Sequence, residues 1–369
     1  MDKRVAGSRL REAPCAPNAC HAERSRSISP KSFRREIPRQ ARNDLSCRSR
    51  RVLLAFSGAL VLPLCLVSEA AQVELKRDDE KHQLAVLIEG KTALVYCYEP
   101  ESFLPYFCPV NSPSGKELTV KLTNPYPHHR SFWFADTVRL DGEKAPTSFY
   151  NAYYAYKNGK GPRIRHEKFL EAKADNDGAT LGMELSWEID KDKPVFKETR
   201  EARIVPLGGG EYFMDIRFTV AADYGDVEFR SDAAHYAWPY IRIHPQFSVQ
   251  KGGTLVNSEG GLKQAGTQGK VAAWCDYSNT LDGKTEGLAF FSHAENDHPH
   301  TWLTRDYGTF GPRRCDAHNG KPFTLKKGET LARRVGILVH NGDAKEAKVA
   351  ERYEDYVKGK LSLLPPLAK

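Results

Sequence analysis

Histidine moves protons near neutral pH and is also a common ligand of transition metals. In this sequence the histidines recur beside arginine and aromatic rings. The stretch NPYPHHRSFWFAD, Asn124 to Asp136, sets His128, His129 and Arg130 directly before Phe132, Trp133 and Phe134. The same mixture returns in HAENDHPHTWLTRDYGTFGP, His293 to Pro312, with His293, Trp302, Arg305 and Asp306. Between the two lie His166 in GPRIRHEKFLE, Glu198 and Arg200 in FKETREARI, and His235 and Arg242 in AHYAWPYIRI.

Saccharide chemistry asks for a group that donates a proton, a carboxylate that accepts one, arginines that hold hydroxyls and aromatic faces that stack. On that reading His129, His166, Glu198, His235 and His293 are the acid/base candidates. His128, Arg130, Trp133, Arg200, Arg242, Trp302, Arg305 and Asp306 are the substrate-holding ones. In extended backbone, adjacent side chains face opposite ways. This parity groups His129 with Trp133, facing a ligand, and His128 with Arg130, Phe132 and Phe134, facing the core. Glu198 and Arg200 share one strand face, where a carboxylate beside a guanidinium stays ionised, as a base or as a surface ion pair. For each histidine taken alone, a hydrogen-bonded packing role is the competing reading.

A catalytic zinc site needs three side chains within about 2.0 to 2.2 Å of one ion. The sequence has no His-Glu-x-x-His run, and the two adjacent histidines diverge in extended chain. No cofactor is expected, and a divalent metal is the alternative.

The elements that must position these residues read as strands. Ala85–Ile88, Leu94–Tyr98, Glu117–Leu122, Leu181–Ile189, Tyr212–Val220, Gly287–Ser292 and Val335–His340 have strand character, separated by turns such as Asp141-Gly142, Asn158-Gly159 and Asp282-Gly283. In YFMDIRFTV, Met214, Ile216, Phe218 and Val220 alternate with Asp215, Arg217 and Thr219, which predicts one packed and one polar face. One helix is marked, Asp343 to Lys358, with capping-box spacing between Asp343 and Glu346, and it reads as a C-terminal clamp. The expected fold is all-β: a large antiparallel two-sheet sandwich of the size of galactose-mutarotase-like supersandwiches, with a concave polar face and one C-terminal helix.

Charge and hydropathy divide the chain. Of 55 basic and 47 acidic residues, positions 1–51 hold 14 and 5, a net of +9, so the remainder is nearly neutral and offers no basic face to nucleic acid. Val52 to Val67 is apolar, follows Arg48, Arg50 and Arg51, and is shorter than the ~20 residues that span a bilayer. The expected organisation is therefore a basic leader over 1–51, a signal peptide over 52–71, and one β-sandwich domain over 72–369, exported to the periplasm or beyond. No stable membrane span remains after cleavage. The partner is a saccharide or small polar ligand, and the oligomeric state is left open. Cys97, Cys108, Cys275 and Cys315 remain in the exported part without a Cys-x-x-Cys pair, and Cys97 with Cys108 is one candidate disulfide.

The order of the stretches quoted above, together with YFCPVNSPSGKELT, FFSHAENDHPH and FTLKKGETLARRVGILVHNGD, resembles a family of exported bacterial proteins of unknown function. Its members often carry the label "methane oxygenase PmoA". The resemblance runs from Tyr106 to Asp343 and implies a β-sandwich from carbohydrate-degrading bacteria; beside an acid/base epimerase, lyase or hydrolase, a non-catalytic saccharide-binding sandwich and, from the label, a metal-dependent oxygenase are the alternatives. The motif positions it matches are His128, His129, Arg130, His166, Glu198, Arg200, His235, Arg242, His293, Arg305 and Asp306. The chain departs from the family pattern in Asn-Pro-Tyr-Pro before the histidine pair and in Ser-His-Ala at His293. A membrane methane monooxygenase subunit needs several apolar spans of ~20 residues, and after the signal this chain has none, at a mean hydropathy of −0.56. Secreted protein is expected to begin near Ala71 or Gln72, and N-terminal sequencing that reads from Met1 would contradict the signal assignment.

Overall fold

A computed structural model describes residues 72–230, 237–296, 300–315, 322–361 and 363–366. The leader, the signal run and His235 lie outside the described residues. The remainder is dominated by antiparallel strands. One eight-stranded sheet runs Val73–Asp78, Gln83–Ile88, Lys91–Cys97, Tyr106–Val110, Phe132–Trp133, Tyr240–Arg242, Thr309–Cys315 and His300–Thr304 in spatial order. The other runs Thr254–Asn257, Trp274–Leu281, Lys284–Ser292, Thr330–Asn341, Glu211–Ala221, Lys193–Gly208, Gly178–Asp190 and Arg163–Asp175. A four-stranded sheet of Phe323–Leu325, Val227–Arg230, Thr137–Leu140 and Thr147–Ser148 stands beside them. The all-β two-sheet expectation holds.

Local chemistry sets the hairpins. Asp282 and Gly283 both take left-handed φ, 53° and 75°, which matches the twist of the Trp274–Leu281 and Lys284–Ser292 pair they join. Glu117–Leu122 departs from the strand expectation. It makes only the isolated bridges Asn111–Glu117 and Thr119–Ile243, because Leu122, at φ 57°, turns the chain out of the ladder.

The core between the large sheets is aromatic. Phe107 stacks on Phe132 with ring centres 5.6 Å apart, and Phe132 meets Phe218 and Phe290 edge-on at 6.1 and 6.0 Å. Both arrangements suit the quadrupoles of the rings. Met214, Ile216, Phe218 and Val220 join this core, as the alternation predicts.

The opposite face of that strand is not a concave polar cleft. It is covered by the C-terminal segment, and Asp215 is fully buried. Its carboxylate accepts from Arg334 Nη2 at 2.7 Å, from the Tyr356 hydroxyl at 2.9 Å and from the Leu364 amide at 3.1 Å, while Arg217 donates to the Pro365 carbonyl. Gly336 makes room for this cover: a Cβ there would meet Phe213 at 2.4 Å and Tyr356 at 3.1 Å. Asp343 and Glu346 do form a reciprocal capping box, at 3.1 and 2.9 Å, but Lys348 at φ 51° ends that turn. The helix proper is Val349–Val357, shorter than expected. Among the described residues no helix is long and apolar enough to cross a membrane.

Cys97, Cys108 and Cys275 are free thiols. The ladder pairs Cys97 with Tyr106 rather than Cys108, and the Cys97 thiol donates instead to the Cys108 carbonyl at 3.3 Å. Breaking the clamp should be costly: Asp215→Ala leaves the buried Arg334 with Glu295, at 3.0 Å, as its carboxylate partner and strips the Tyr356 hydroxyl of its acceptor, and is expected to lower stability by about 3 to 5 kcal/mol in urea titration. Removing the exposed Asp355 carboxylate, which pairs with Lys360, should cost less than about 1 kcal/mol. Equal losses would contradict the clamp.

Candidate functional site

The two histidines of the opening motif lie at a turn, not in a strand, because the chain between Lys121 and Arg130 forms no ladder. Their rings are therefore not sent to opposite faces: the centres stand 4.5 Å apart, nearly perpendicular. This corrects the parity expectation for His128. The pairing of His129 with Trp133 survives, at 5.5 Å.

Tyrosines surround the pair. His129 Nε2 lies 3.1 Å from the Tyr150 hydroxyl and its Nδ1 3.3 Å from Thr309 Oγ1. His128 Nδ1 lies 3.0 Å from the hydroxyl of Tyr154, a side chain carried at the exposed end of the short turn Ala152–Ala155. The Tyr126 ring stacks on His129 at 4.9 Å and on Tyr307 at 5.0 Å. Arg242 closes the circuit: its guanidinium lies 4.6 Å over the Tyr307 ring, and Nη1 donates to the Tyr307 carbonyl at 2.6 Å and to Thr309 Oγ1 at 3.4 Å. Arg130 is held over Phe103 at 4.5 Å and donates to the Pro127 carbonyl at 3.2 Å, which pins the turn.

Burial and neighbouring cations keep both imidazoles neutral. Desolvation, then Arg130, lowers the His128 pKa to about 4, and desolvation, then His128 and Arg242, lowers that of His129 to about 2. At neutral pH, His129 has both nitrogens on hydroxyls. His128 keeps Nε2 with no hydrogen-bond partner among the described residues.

The other sequence candidates are not brought to this cluster. Glu198 is fully buried on the inward face with Ala202 and Ile204, where it accepts from Trp187 Nε1 at 2.7 Å and from Arg200 Nε at 2.8 Å. It is a core ion pair rather than a surface pair. His293 packs edge-on against Tyr356 at 4.7 Å, under the C-terminal helix. Trp302 is a core residue that donates to the Ala272 carbonyl at 2.8 Å. Arg305 donates to Gln268 at 2.6 Å and Asp306 accepts from the Gln264 amide at 2.7 Å, so both brace the 263–268 turn. Trp133 alone of these adjoins the cluster, through His129, and it is buried and stacks on Tyr240 at 4.9 Å.

His166 lies elsewhere, in the wall of a cleft of about 520 Å³, with its Nδ1 3.2 Å from the Tyr96 hydroxyl and its pKa lowered by burial to about 4. Sequence reading missed the tyrosines. Tyr126 and Tyr307 stand inside the two quoted stretches, and FYNAYYAY, Phe149 to Tyr156, is itself a tyrosine run that supplies Tyr150 and Tyr154.

Among the described residues no three His, Cys, Asp or Glu side chains are grouped to share an ion. The donor set of the cluster does not fit one either. With His129 committed on both nitrogens, His128 alone offers a ring nitrogen, short of the three protein ligands a catalytic zinc takes.

Histidines buried in the neutral form make folding sensitive to acid. For His128, His166 and His293 the folded pKa is about 4. Between that and the ordinary ~6.5 the unfolded chain binds more protons, so stability falls as pH falls through this window. His340 runs the other way: burial lowers its pKa, but Asp276 at 2.7 Å more than reverses this. Replacing His128 by Asn should make the stability lost between pH 7 and pH 5 smaller by about 1 to 2 kcal/mol in urea titrations. An unchanged slope would contradict a neutral, buried His128.

No curated protein matches the sequence. Among solved structures the chain is similar to the GH36 α-galactosidase AgaB of Geobacillus stearothermophilus at 8% identity and a TM-score of 0.42, over 74% of this chain and 42% of that one. It is also similar to the α-galactosidase of Lactobacillus brevis, at 10% identity and a TM-score of 0.40, over 75% and 40% of the two chains. A polysaccharide lyase matches at 12% identity and a TM-score of 0.32, over 75% and 34%. The chain thus spans less than half the length of each of these proteins. A family described as "Family of unknown function (DUF6807)" matches residues 83–354, and that description carries no methane-oxygenase label. The match runs from the second strand into the C-terminal helix, and the chain belongs to this DUF6807 family.

Proposed function

We propose that the protein is exported, that residues 72–369 act as one domain, and that it binds a saccharide at the His128–His129 cluster. The observation that carries this reading is the unengaged Nε2 of a neutral His128, oriented by Tyr154 and flanked by the part-exposed ring of Tyr126, which stacks in turn on Tyr307. A sugar offers hydroxyls to such a nitrogen and C–H faces to such rings. The neighbouring guanidiniums of Arg130 and Arg242 are fixed by ring faces and carbonyls, so they shape the wall without moving.

Binding is the better supported half of the reading. A histidine with a pKa of about 4 is not in its imidazolium form at neutral pH, and a general acid works best with a pKa near the working pH. Glu198, the carboxylate expected to share the chemistry, is sealed in the core by Trp187 and Arg200. His128 Nε2 can exchange a hydrogen bond with a hydroxyl, as acceptor when Nδ1 donates to Tyr154 and as donor when Tyr154 donates to Nδ1. The oxygenase reading draws no support from the donor set.

A glycan-binding screen of purified protein, with and without chelator, tests the proposal. The expected result is a bound glycan whose affinity is unchanged by chelation and falls at least about tenfold in His128→Ala, the scale of one lost hydrogen bond to a neutral group. Glu198→Gln should leave affinity intact while lowering stability. No glycan bound, or affinity insensitive to His128→Ala, would overturn the reading. Turnover of the bound glycan that stops in His128→Ala would move it from binding to catalysis.

A further inference from the structure

We infer that the cleft around His166 is a second ligand site, separate from the histidine pair, and that it takes a saccharide carrying carboxylate groups, a uronate. The cleft lies at the open edges of both large sheets. Arg77 reaches it from the edge strand Val73–Asp78, the segment Arg163 to Phe169 from the edge strand Arg163–Asp175, and Tyr98 and Glu99 from the connection before Tyr106–Val110. Its volume of about 520 Å³ falls in the range that holds a small ligand.

Three features of the wall specify the ligand. The first is cationic: Arg77, Arg163, Arg165 and Lys168 face the cleft against Glu99 and Glu167, while the partners Asp79, Glu184 and Glu188 stand outside the lining. Arg163 and Arg165 converge on the single carboxylate of Glu188 at 2.7 and 3.0 Å. Nη2 of Arg163 and Nη1 of Arg165 have no hydrogen bond among the described residues, and guanidinium edges of this kind pair well with carboxylates.

The second feature is unmet hydrogen bonding. Among the described residues Glu99 Oε2 is buried with no hydrogen bond, and the buried Tyr98 hydroxyl has only the Arg77 guanidinium to interact with. An unpartnered buried polar atom costs about 1 to 3 kcal/mol, which a ligand group would recover. Glu99 Oε2 is an acceptor, so it calls for a ligand that brings a hydroxyl as well as an anion. The third feature is a ring cluster, with His166 centred 4.6 Å from both Tyr98 and Phe169, which gives a sugar ring an apolar wall. An inorganic anion satisfies only the first of these, and a neutral sugar only the last two.

Calorimetric titration of the full-length exported protein with trigalacturonate and with its uncharged methyl ester tests the assignment. Trigalacturonate is expected to bind at least about tenfold more tightly than the ester, and 0.5 M salt should weaken it, since exposed charges are screened over a few ångströms at that strength. Arg165→Gln should reduce affinity about tenfold and Glu99→Gln should reduce it too, whereas His128→Ala should leave it unchanged. Loss in His128→Ala with retention in Arg165→Gln would place the ligand at the other cluster and overturn this site alone. Equal affinity for acid and ester, or no binding of either, would overturn it as well.

Discussion

The strand Glu211–Ala221 is buried on both faces, and much of the architecture follows from that constraint. One face packs into the aromatic core between the large sheets, and the other lies under the C-terminal segment. A strand in that position cannot leave a charge to water, so Asp215 must find all its donors inside the protein. It does so in Arg334, Tyr356 and Leu364, which lie 119, 141 and 149 residues further along the chain. The second sheet is thereby covered around this strand, and the ligand sites we propose lie elsewhere: at the turn that carries His128 and His129, and at the open edges where Arg77 and Arg163–Phe169 meet.

The two margins are built on different electrostatics. At the histidine pair, burial and two guanidiniums remove protons from the imidazoles, and hydroxyls of Tyr150, Tyr154 and Thr309 take up the ring nitrogens. The result is a neutral, aromatic surface with one ring nitrogen left without a hydrogen bond among the described residues. In the edge cleft the cationic side chains of Arg165 and Lys168 stay partly exposed to water. Phe103 and Tyr106 separate the two regions: Arg130 of the first leans on both rings, and Tyr106 donates to Glu99 of the second at 3.1 Å.

Much of the fold was legible in the sequence because period-two alternation is a local signal. The YFMDIRFTV strand, its inward set and the Asp282-Gly283 hairpin follow from neighbours alone. The same signal also held the answer for Glu198, which shares parity with Ala202 and Ile204 and so faces the core. What alternation could not show is which polar face a distant segment covers. Asp215 and Arg217 look solvated until residues 349–365 are placed on them. Parity failed at His128 for a related reason: it presumes extended backbone, and Lys121 to Arg130 is a turn. Composition marked the histidine stretches, but the aromatic partners came from Tyr150 and Tyr154, beyond three further strands.

The central claim is that His128 is neutral, fixed by Tyr154 and open at Nε2. Imidazole ¹⁵N chemical shifts of His128, followed by NMR from pH 7 to pH 4, read this directly. The account predicts a single neutral tautomer at pH 6, protonation only near pH 4, and a shift at Nε2 on adding a bound saccharide. A His128 that titrates near pH 6.5, with Nε2 indifferent to ligand, would contradict it.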